Sequence, residues 1–208
     1  MLITRSLSFA YDQEHALRFP DISIQSGGDL LILGSSGIGK TTLLYLLAGL
    51  LTPNSGEVEL FGTVLNELST KELDKFRGRH IGLVFQCPYF IRSLSLQENL
   101  TLIQYLAGQP QDRSMARQIL SRLNIEDKRH KRPYSLSQGE QQRASIAMAV
   151  LNNPKLILAD EPTSSLDDKN CFSVISLLKD QAAATNAQLV VISHDSRLKS
   201  HFKNYIAL

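Results

Sequence analysis

Cysteine is scarce in this chain: Cys87 and Cys171 are the two present in 208 residues. They fit no metal or redox spacing, so both read as reduced and incidental. Charge of one sign is also missing. Lys and Arg number 22 against 20 Asp and Glu, a net charge of +2. That balance gives an ordinary mixed surface and no strong basic footprint, so no nucleic-acid partner is expected. No apolar run approaches the roughly 20 residues of a membrane span. The longest aliphatic stretch, around Leu43 to Leu51, is interrupted by Tyr45 and Gly49. Met1 to Arg5 lacks the charged-then-apolar pattern of a signal sequence. Repeats and low-complexity segments are absent, and no room is expected for a regulatory domain after the last strand-like residues, Asn204 to Leu208. What remains, with 43% hydrophobic residues, is enough for one domain or two closely packed lobes.

Two glycine-bearing loops carry most of the information. Gly34-Ser35-Ser36-Gly37-Ile38-Gly39-Lys40-Thr41 matches G-x-x-x-x-G-K-[ST]. It follows an apolar strand-like run, Leu30 to Leu33, and precedes a helix-like run from Thr42 to Ala48. Glycines at 34, 37 and 39 let backbone N–H groups turn inward where a Cβ would block a phosphate. The following helix adds partial positive charge. Lys40 can reach β- and γ-phosphates, and the Thr41 hydroxyl can ligate Mg²⁺. The bland alternative is a glycine-rich turn with a solvated lysine.

The second loop, Leu136-Ser137-Gln138-Gly139-Glu140, opens a helix-like stretch from Gln141 to Asn152. Ser137 sits where it can cap that helix and make a second anion-binding end. Alone, this is equally an ordinary capped helix. Downstream, the strand-like Lys155 to Ala159 ends in Asp160 and Glu161. Bare carboxylates are costly within a buried strand, so they belong at its C-terminal end beside the phosphate loop. Asp160 can hold Mg²⁺ there and Glu161 can polarise a water; otherwise the pair is an acidic turn broken by Pro162.

Three single residues complete the set. Tyr11 offers a flat face for a purine, or is a half-buried strand tyrosine. Gln86, after the apolar Gly82 to Phe85, offers a carbonyl oxygen to Mg²⁺ and an amide to water, or is a surface glutamine. His194 ends the β-branched run Leu189 to Ser193 and can face a γ-phosphate, or is structural. His15, His80, His130 and His201 read as surface residues.

Taken in order, these residues resemble an ATP-binding cassette ATPase, the nucleotide-binding subunit of ABC transporters, over nearly the whole chain. Tyr11 resembles the adenine-stacking aromatic, and Gly34 to Thr42 the Walker A loop. Gln86 resembles the Q-loop glutamine, Leu136 to Glu140 the signature motif, and Asp160 with Glu161 the Walker B pair. Ser165-Leu166-Asp167 resembles the D-loop and His194 the switch histidine. Ala159 to Thr163, Glu140 and Arg132-Pro133 resemble the lipoprotein-release, macrolide-efflux and cell-division group. The chain departs from that group at Ser164 to Asp167, where Gly-Asn-Leu-Asp is usual, and at Gln138, which replaces the second signature glycine.

The resemblance implies an α/β P-loop NTPase: a RecA-like core, an N-terminal antiparallel β portion and an inserted helical lobe. In the single ABC ATPase domain, the core lobe would span about 1–86 and 152–208 and the helical lobe about 87–151. It implies Mg²⁺-dependent ATP hydrolysis, with Glu161, His194 and Gln86 catalytic and Thr41, Gln86 and Asp160 at the metal. Tyr11, Gly34, Ser35, Ser36, Gly37, Ile38, Gly39, Lys40, Thr41 and Thr42 would bind ATP from one subunit. Ser137, Gly139, Glu140 and Asp167 would reach it from the other, in a head-to-tail dimer of two copies. An integral membrane permease-type subunit is the expected second partner, holding the chain on the inner, cytoplasmic face of the membrane. Pro88-Tyr89-Phe90 and Ser93 to Leu96 read as an apolar stretch fit for docking that subunit, or as packing within the helical lobe. A non-transport ATPase acting on DNA or ribosomes is the alternative. However, the coiled-coil insertion of repair relatives and the second cassette of ribosomal ones are both missing. A catalytically silent binding module is disfavoured by Lys40, Asp160, Glu161 and His194.

Overall fold

The computed structural model describes residues 1–12, 15–164 and 168–208. Strands β1 (Leu2–Ala10), β2 (Ala16–Arg18) and β3 (Ser23–Ile24) precede β4 (Asp29–Leu33) and helix α1 (Lys40–Leu47). Next come β5 (Ser55–Leu60), β6 (Thr63–Val64), α2 (Thr70–His80) and β7 (Ile81–Val84). Helices α3 (Leu96–Leu106), α4 (Arg113–Arg122) and α5 (Gln138–Val150) then run consecutively. β8 (Leu156–Asp160), α6 (Asp168–Thr185), β9 (Gln188–Ser193) and β10 (Tyr205–Ala207) finish the chain.

The strands form two sheets. An antiparallel sheet orders β2-β1-β5-β6, with β3 also on β1. A parallel sheet orders β10-β4-β9-β8-β7. Parallel strands joined by helices are covered on both faces, so their sequences need no polar alternation. Alternate residues instead feed two different cores. Leu31, Leu33, Ile157, Ala159, Leu189 and Val191 pack with α3 to α6. Leu30, Ile32, Leu156, Leu158, Val190 and Ile192 pack with α1 and the antiparallel sheet. Full burial of each such aliphatic contributes roughly 1.5–3 kcal/mol. The strands are therefore held from both sides, and their C-terminal ends form a rigid rim.

Three helices begin with the same local device. Ser69, Ser95 and Ser137 each cap a helix while Glu72, Glu98 and Glu140, three residues on, reach back to the cap in a reciprocal capping box. α1 has no side-chain cap and no acidic residue in its first turn. Its opening N–H groups are thus left for another acceptor.

Two readings of the sequence need correction. His80 is not a surface residue. It is half-buried between Phe61 and Phe76, with ring centroids 6.2 and 4.8 Å away, and burial lowers its pKa. Nor is the stretch Ser93 to Leu96 an exposed apolar surface. Leu96 is fully buried as the first residue of α3, because the Ser95 cap turns the helix into the core. Tyr89, by contrast, is 70% exposed.

Candidate nucleotide site

The rim of the parallel sheet carries the chemistry. The loop after β4 holds the glycines, β8 ends in Asp160, and Glu161, Gln86 and His194 follow β8, β7 and β9. Ligands of open α/β sheets bind at these carboxyl ends.

Gly37 and Gly39 have φ of 83° and 103°, the left-handed side where a Cβ is strained. The steric reason for glycine differs from the one expected, however. A Cβ at Gly39 would meet Leu17 Cδ1 at 2.9 Å, and one at Gly34 would meet Ile38 Cγ2 at 2.9 Å. Protein packing alone thus demands glycine at both, while at Gly37 nothing lies within 4 Å of the added atom.

Lys40 is nearly buried, at 6% exposure. Its ammonium donates to the Gly34 and Ser35 carbonyls at 2.9 and 3.0 Å and lies 3.5 Å from Glu161 Oε1. The loop therefore folds around its own lysine. The Thr41 hydroxyl donates to Asp160 Oδ2 at 2.9 Å, while Asp160 Oδ1 is buried without a protein partner. Burial, reinforced by the charge of Glu161, raises the Asp160 carboxyl pKa despite the opposing Thr41 hydrogen bond and Lys40 charge. An orphaned buried carboxylate oxygen beside a hydroxyl is a hard, oxygen-only donor set, which suits Mg²⁺. Among the described residues, no cluster of three or more His, Cys, Asp and Glu competes as a metal site.

Glu161 adopts a left-handed backbone, φ 46°, and its N–H donates to the Ile192 carbonyl at 2.9 Å. This turn brings the carboxylate over the end of β9. Oε2 accepts from the Ser193 hydroxyl at 3.2 Å and the His194 N–H at 3.3 Å, and lies 2.9 Å from His194 Nδ1. The histidine thus faces the carboxylate directly. Ser193, fully buried, also accepts from the Asp195 N–H at 3.0 Å. Sequence reasoning did not single it out; its place one residue before His194 was the available signal.

Tyr11 is 68% exposed, with its hydroxyl 3.1 Å from Thr42 Oγ1 and its ring edge-on to Phe9. A largely open ring at the loop mouth excludes the half-buried alternative. Gln86 is exposed and its amide donates to Ser164 Oγ at 3.4 Å. Asp167, with Ser165 and Leu166, lies outside the described residues.

The Ser137 loop is not among these groups. At its centre is the capping box: Ser137 N–H and Oγ–H donate to Glu140 Oε2 at 2.8 and 2.9 Å, and Glu140 N–H donates back at 3.3 Å. Of the N–H groups at this helix end, that of Glu140 is engaged by the cap. Ser137's hydrogen bonds hold the Glu140 carboxyl below the usual carboxylate range, and Lys128 adds to this.

The family described as ABC transporter matches residues 17–164. The chain is 37% identical to the lipoprotein-releasing system ATP-binding protein LolD of Chromohalobacter salexigens, over 87% of this chain and 77% of that one. It is also 37% identical to the macrolide export ATP-binding/permease protein MacB of Rhodopseudomonas palustris, over 93% of this chain but 30% of the longer protein. The dimeric structure of the ABC transporter cassette MJ0796 superimposes with a TM-score of 0.89 at 32% identity, covering 100% of this chain and 94% of that one. A post-hydrolysis MJ0796 dimer bound to ADP and Pi gives 0.90 at the same identity and coverage. A family match over residues 17–164, relatives 37% identical over most of the chain and a fold shared along its whole length make this chain a member of the ABC transporter family and an ATP-hydrolysing subunit of it.

Proposed function

We propose that two copies of this chain hydrolyse Mg-ATP in a head-to-tail pair and so drive an integral membrane subunit. The observation that carries this reading is the convergence of Lys40, Thr41, Asp160, Glu161 and His194 on one rim of the sheet. Lys40 leaves the Gly34 and Ser35 carbonyls to neutralise phosphate oxygens, and the uncapped α1 end donates backbone N–H groups to them. Tyr11 stacks on the base. Thr41, Asp160 and Gln86 would hold the Mg²⁺, which when bound would supply charge neutralisation. Glu161 accepts the proton of the attacking water, while Ser193 and His194 fix its orientation. Ser137 and Gly139 on α5, with Asp167, serve the ATP held by the other copy, so neither copy alone has a complete site.

The membrane partner has a suitable seat. A cleft of about 580 Å³ lies between α2, β7, α3 and α5, lined by Gly82, Leu83, Tyr89, Ile103, Leu106 and Met148 among others. Leu106 is 73% exposed at its edge. Such a groove takes an amphipathic helix, and it lies where β7 leads into Gln86, so docking and nucleotide sensing share one strand. The division into lobes at about 86 and 152 is proposed on the same ground. Among the described residues no helix is long and apolar enough to cross a membrane; the spanning part is assigned to the partner.

Phosphate release by the purified chain, with and without Mg²⁺, tests the catalytic reading; Lys40→Ala should lose tight ATP binding. Unchanged nucleotide affinity in that variant overturns the role of the loop. Capture of the tagged protein from native membranes with ATP tests the partner: a stoichiometric integral membrane protein supports the reading, and ribosomes, DNA or soluble partners only would overturn it.

A further inference from the structure

We propose that Lys128 is a positioning residue for the composite site, holding the Glu140 carboxylate aside so that the Ser137 loop can receive the nucleotide of a second copy. The proposal rests on the head-to-tail reading above.

The need for such a residue follows from the capping box. Glu140 closes the N-terminus of α5 with a full negative charge, on the surface that must accept a triphosphate. Its Oε2 also accepts a hydrogen bond from the Ser137 hydroxyl at 2.9 Å, which turns the hydroxyl away from any outside acceptor. An uncompensated carboxylate here repels the incoming phosphates, so Glu140, which the resemblance counts among the residues reaching the nucleotide, serves as the helix cap and not as a phosphate ligand. It cannot be removed by protonation near neutral pH, because Ser137 stabilises the ionised form. It can only be offset.

Lys128 is placed to do that. Its ammonium lies 3.5 Å from Glu140 Oε1, the oxygen the capping box leaves over, and 2.9 Å from Asp127 Oδ2. Lys128 is the charged side chain that lowers the Glu140 pKa; the other stabilising contacts come from Ser137.

The backbone beneath the lysine is pinned. It ends the 3-10 turn Glu126–Lys128, whose start is closed by the Lys128 N–H on the Ile125 carbonyl at 3.1 Å. The Lys128 carbonyl accepts from the Lys131 N–H at 2.8 Å. The Arg129 and Lys131 carbonyls accept from Gln97 and Leu96 at the start of α3, both at 2.9 Å. Arg117 and Arg129 hold Glu126 from the other side. A flexible cation on a fixed base can follow the carboxylate when Ser137 lets it go. The shared attraction of Asp127 keeps the ammonium from competing for the phosphates themselves.

The test uses ATP-dependent dimerisation in the Glu161→Gln background, followed by sedimentation velocity across a range of salt. Lys128→Ala should weaken the dimer about tenfold at low salt, since two exposed ion pairs of modest strength act together in each pair. The difference should shrink as salt rises. Lys128→Arg should restore parental pairing. Adding Lys128→Ala to Glu140→Gln should change pairing less than about twofold, because the charge to be offset is gone. Affinity of the isolated chain for a fluorescent ATP analogue should not move, which separates this role from a fault in the phosphate loop. Parental dimerisation by Lys128→Ala, or an equal loss in the Glu140→Gln background, overturns the proposal. Ser137→Arg distinguishes the two levels of the argument. If it abolishes pairing while Lys128→Ala does nothing, only the role of Lys128 falls. If Ser137→Arg pairs normally, the head-to-tail reading falls with it.

Discussion

Replacing Glu161 by glutamine isolates one charge at the centre of the site. Glu161 stands at φ 46°, a conformation costing about 1–2 kcal/mol for a residue with a Cβ. Glutamine bears the same strain and has the same length, so the turn after β8 should persist. The amide oxygen can still accept from Ser193 and His194, and it can still face Lys40. Lys40 keeps its two carbonyl acceptors at 2.9 and 3.0 Å. The folded state should therefore lose only about 1 kcal/mol, the net worth of an ordinary hydrogen bond. Chemistry should lose far more, because an amide cannot take a proton from water. A positioned general base contributes about 10²–10⁴-fold, or roughly 3–5 kcal/mol of barrier. Nucleotide affinity should rise, since a carboxylate that competes with the phosphates for Lys40 has been neutralised.

Single-turnover phosphate release, ATP-analogue titration and thermal unfolding on one preparation separate these effects. The expected pattern is a rate reduced by about 10²–10⁴, tighter nucleotide and a nearly unchanged melting midpoint, with ATP-dependent pairing retained. Turnover within about fivefold of the parent would refute the assignment of the base, since no positioned proton acceptor is worth so little. Joint loss of turnover, nucleotide binding and thermal stability would instead make Glu161 a structural hub for Lys40 and His194.

Asp160→Asn should raise the unfolding midpoint at neutral pH while removing the response to Mg²⁺. Burial raises this carboxyl, so its ionised form penalises folding; the penalty is absent below the unfolded pKa of about 3.9 and grows as pH rises towards the folded value. The gain should therefore vanish in melts near pH 3, and equal gains at both pH values would contradict the cause. Tyr11→Ala should weaken ATP about 5- to 100-fold, the range of an aromatic stack on a base, and Tyr11→Phe should bind within about threefold of the parent; equal losses in the two would shift the role to the hydroxyl on Thr42. Gly82→Ala should cost about 3 kcal/mol in urea unfolding, because the new Cβ would fall 2.2 Å from the Ala149 carbonyl oxygen where α5 crosses β7.

The parallel sheet and its rim were legible because each motif sits at a change of period. Leu30 to Leu33 and Leu156 to Ala159 are aliphatic runs that stop where charge or glycine begins, and a buried strand must stop there. Ser137 stands where it can cap the helix it precedes, and the structure makes that cap. What stayed hidden depends on contacts distant in sequence. The partners of His80 are Phe61, nineteen residues away, and Phe76 on its own helix. The steric ceiling on Gly39 is Leu17, from the antiparallel sheet. Neither the Phe61–His80 nor the Leu17–Gly39 contact has a local signature, since packing between elements is not periodic along the chain, whereas Phe76 and His80 stand four residues apart on one helix.

The proposed docking cleft shows the same limit from the functional side. Its lining comes from α2, β7, α3 and α5, four segments whose own patterns look like ordinary core faces. Gly82 explains how the cleft and the site can be one device. It lets α5 press against β7 with no side chain between them, so the helix that begins at Ser137 and the strand that leads to Gln86 are in direct backbone contact. On the proposed reading, a force applied at Ile103 or Leu106 would have little soft material to cross before reaching Gln86 and the Ser137 loop. Close-packed interiors transmit displacement rather than absorb it. A glycine in the middle of a buried strand, otherwise a weak point for the sheet, would then stiffen the path between the proposed partner and the nucleotide.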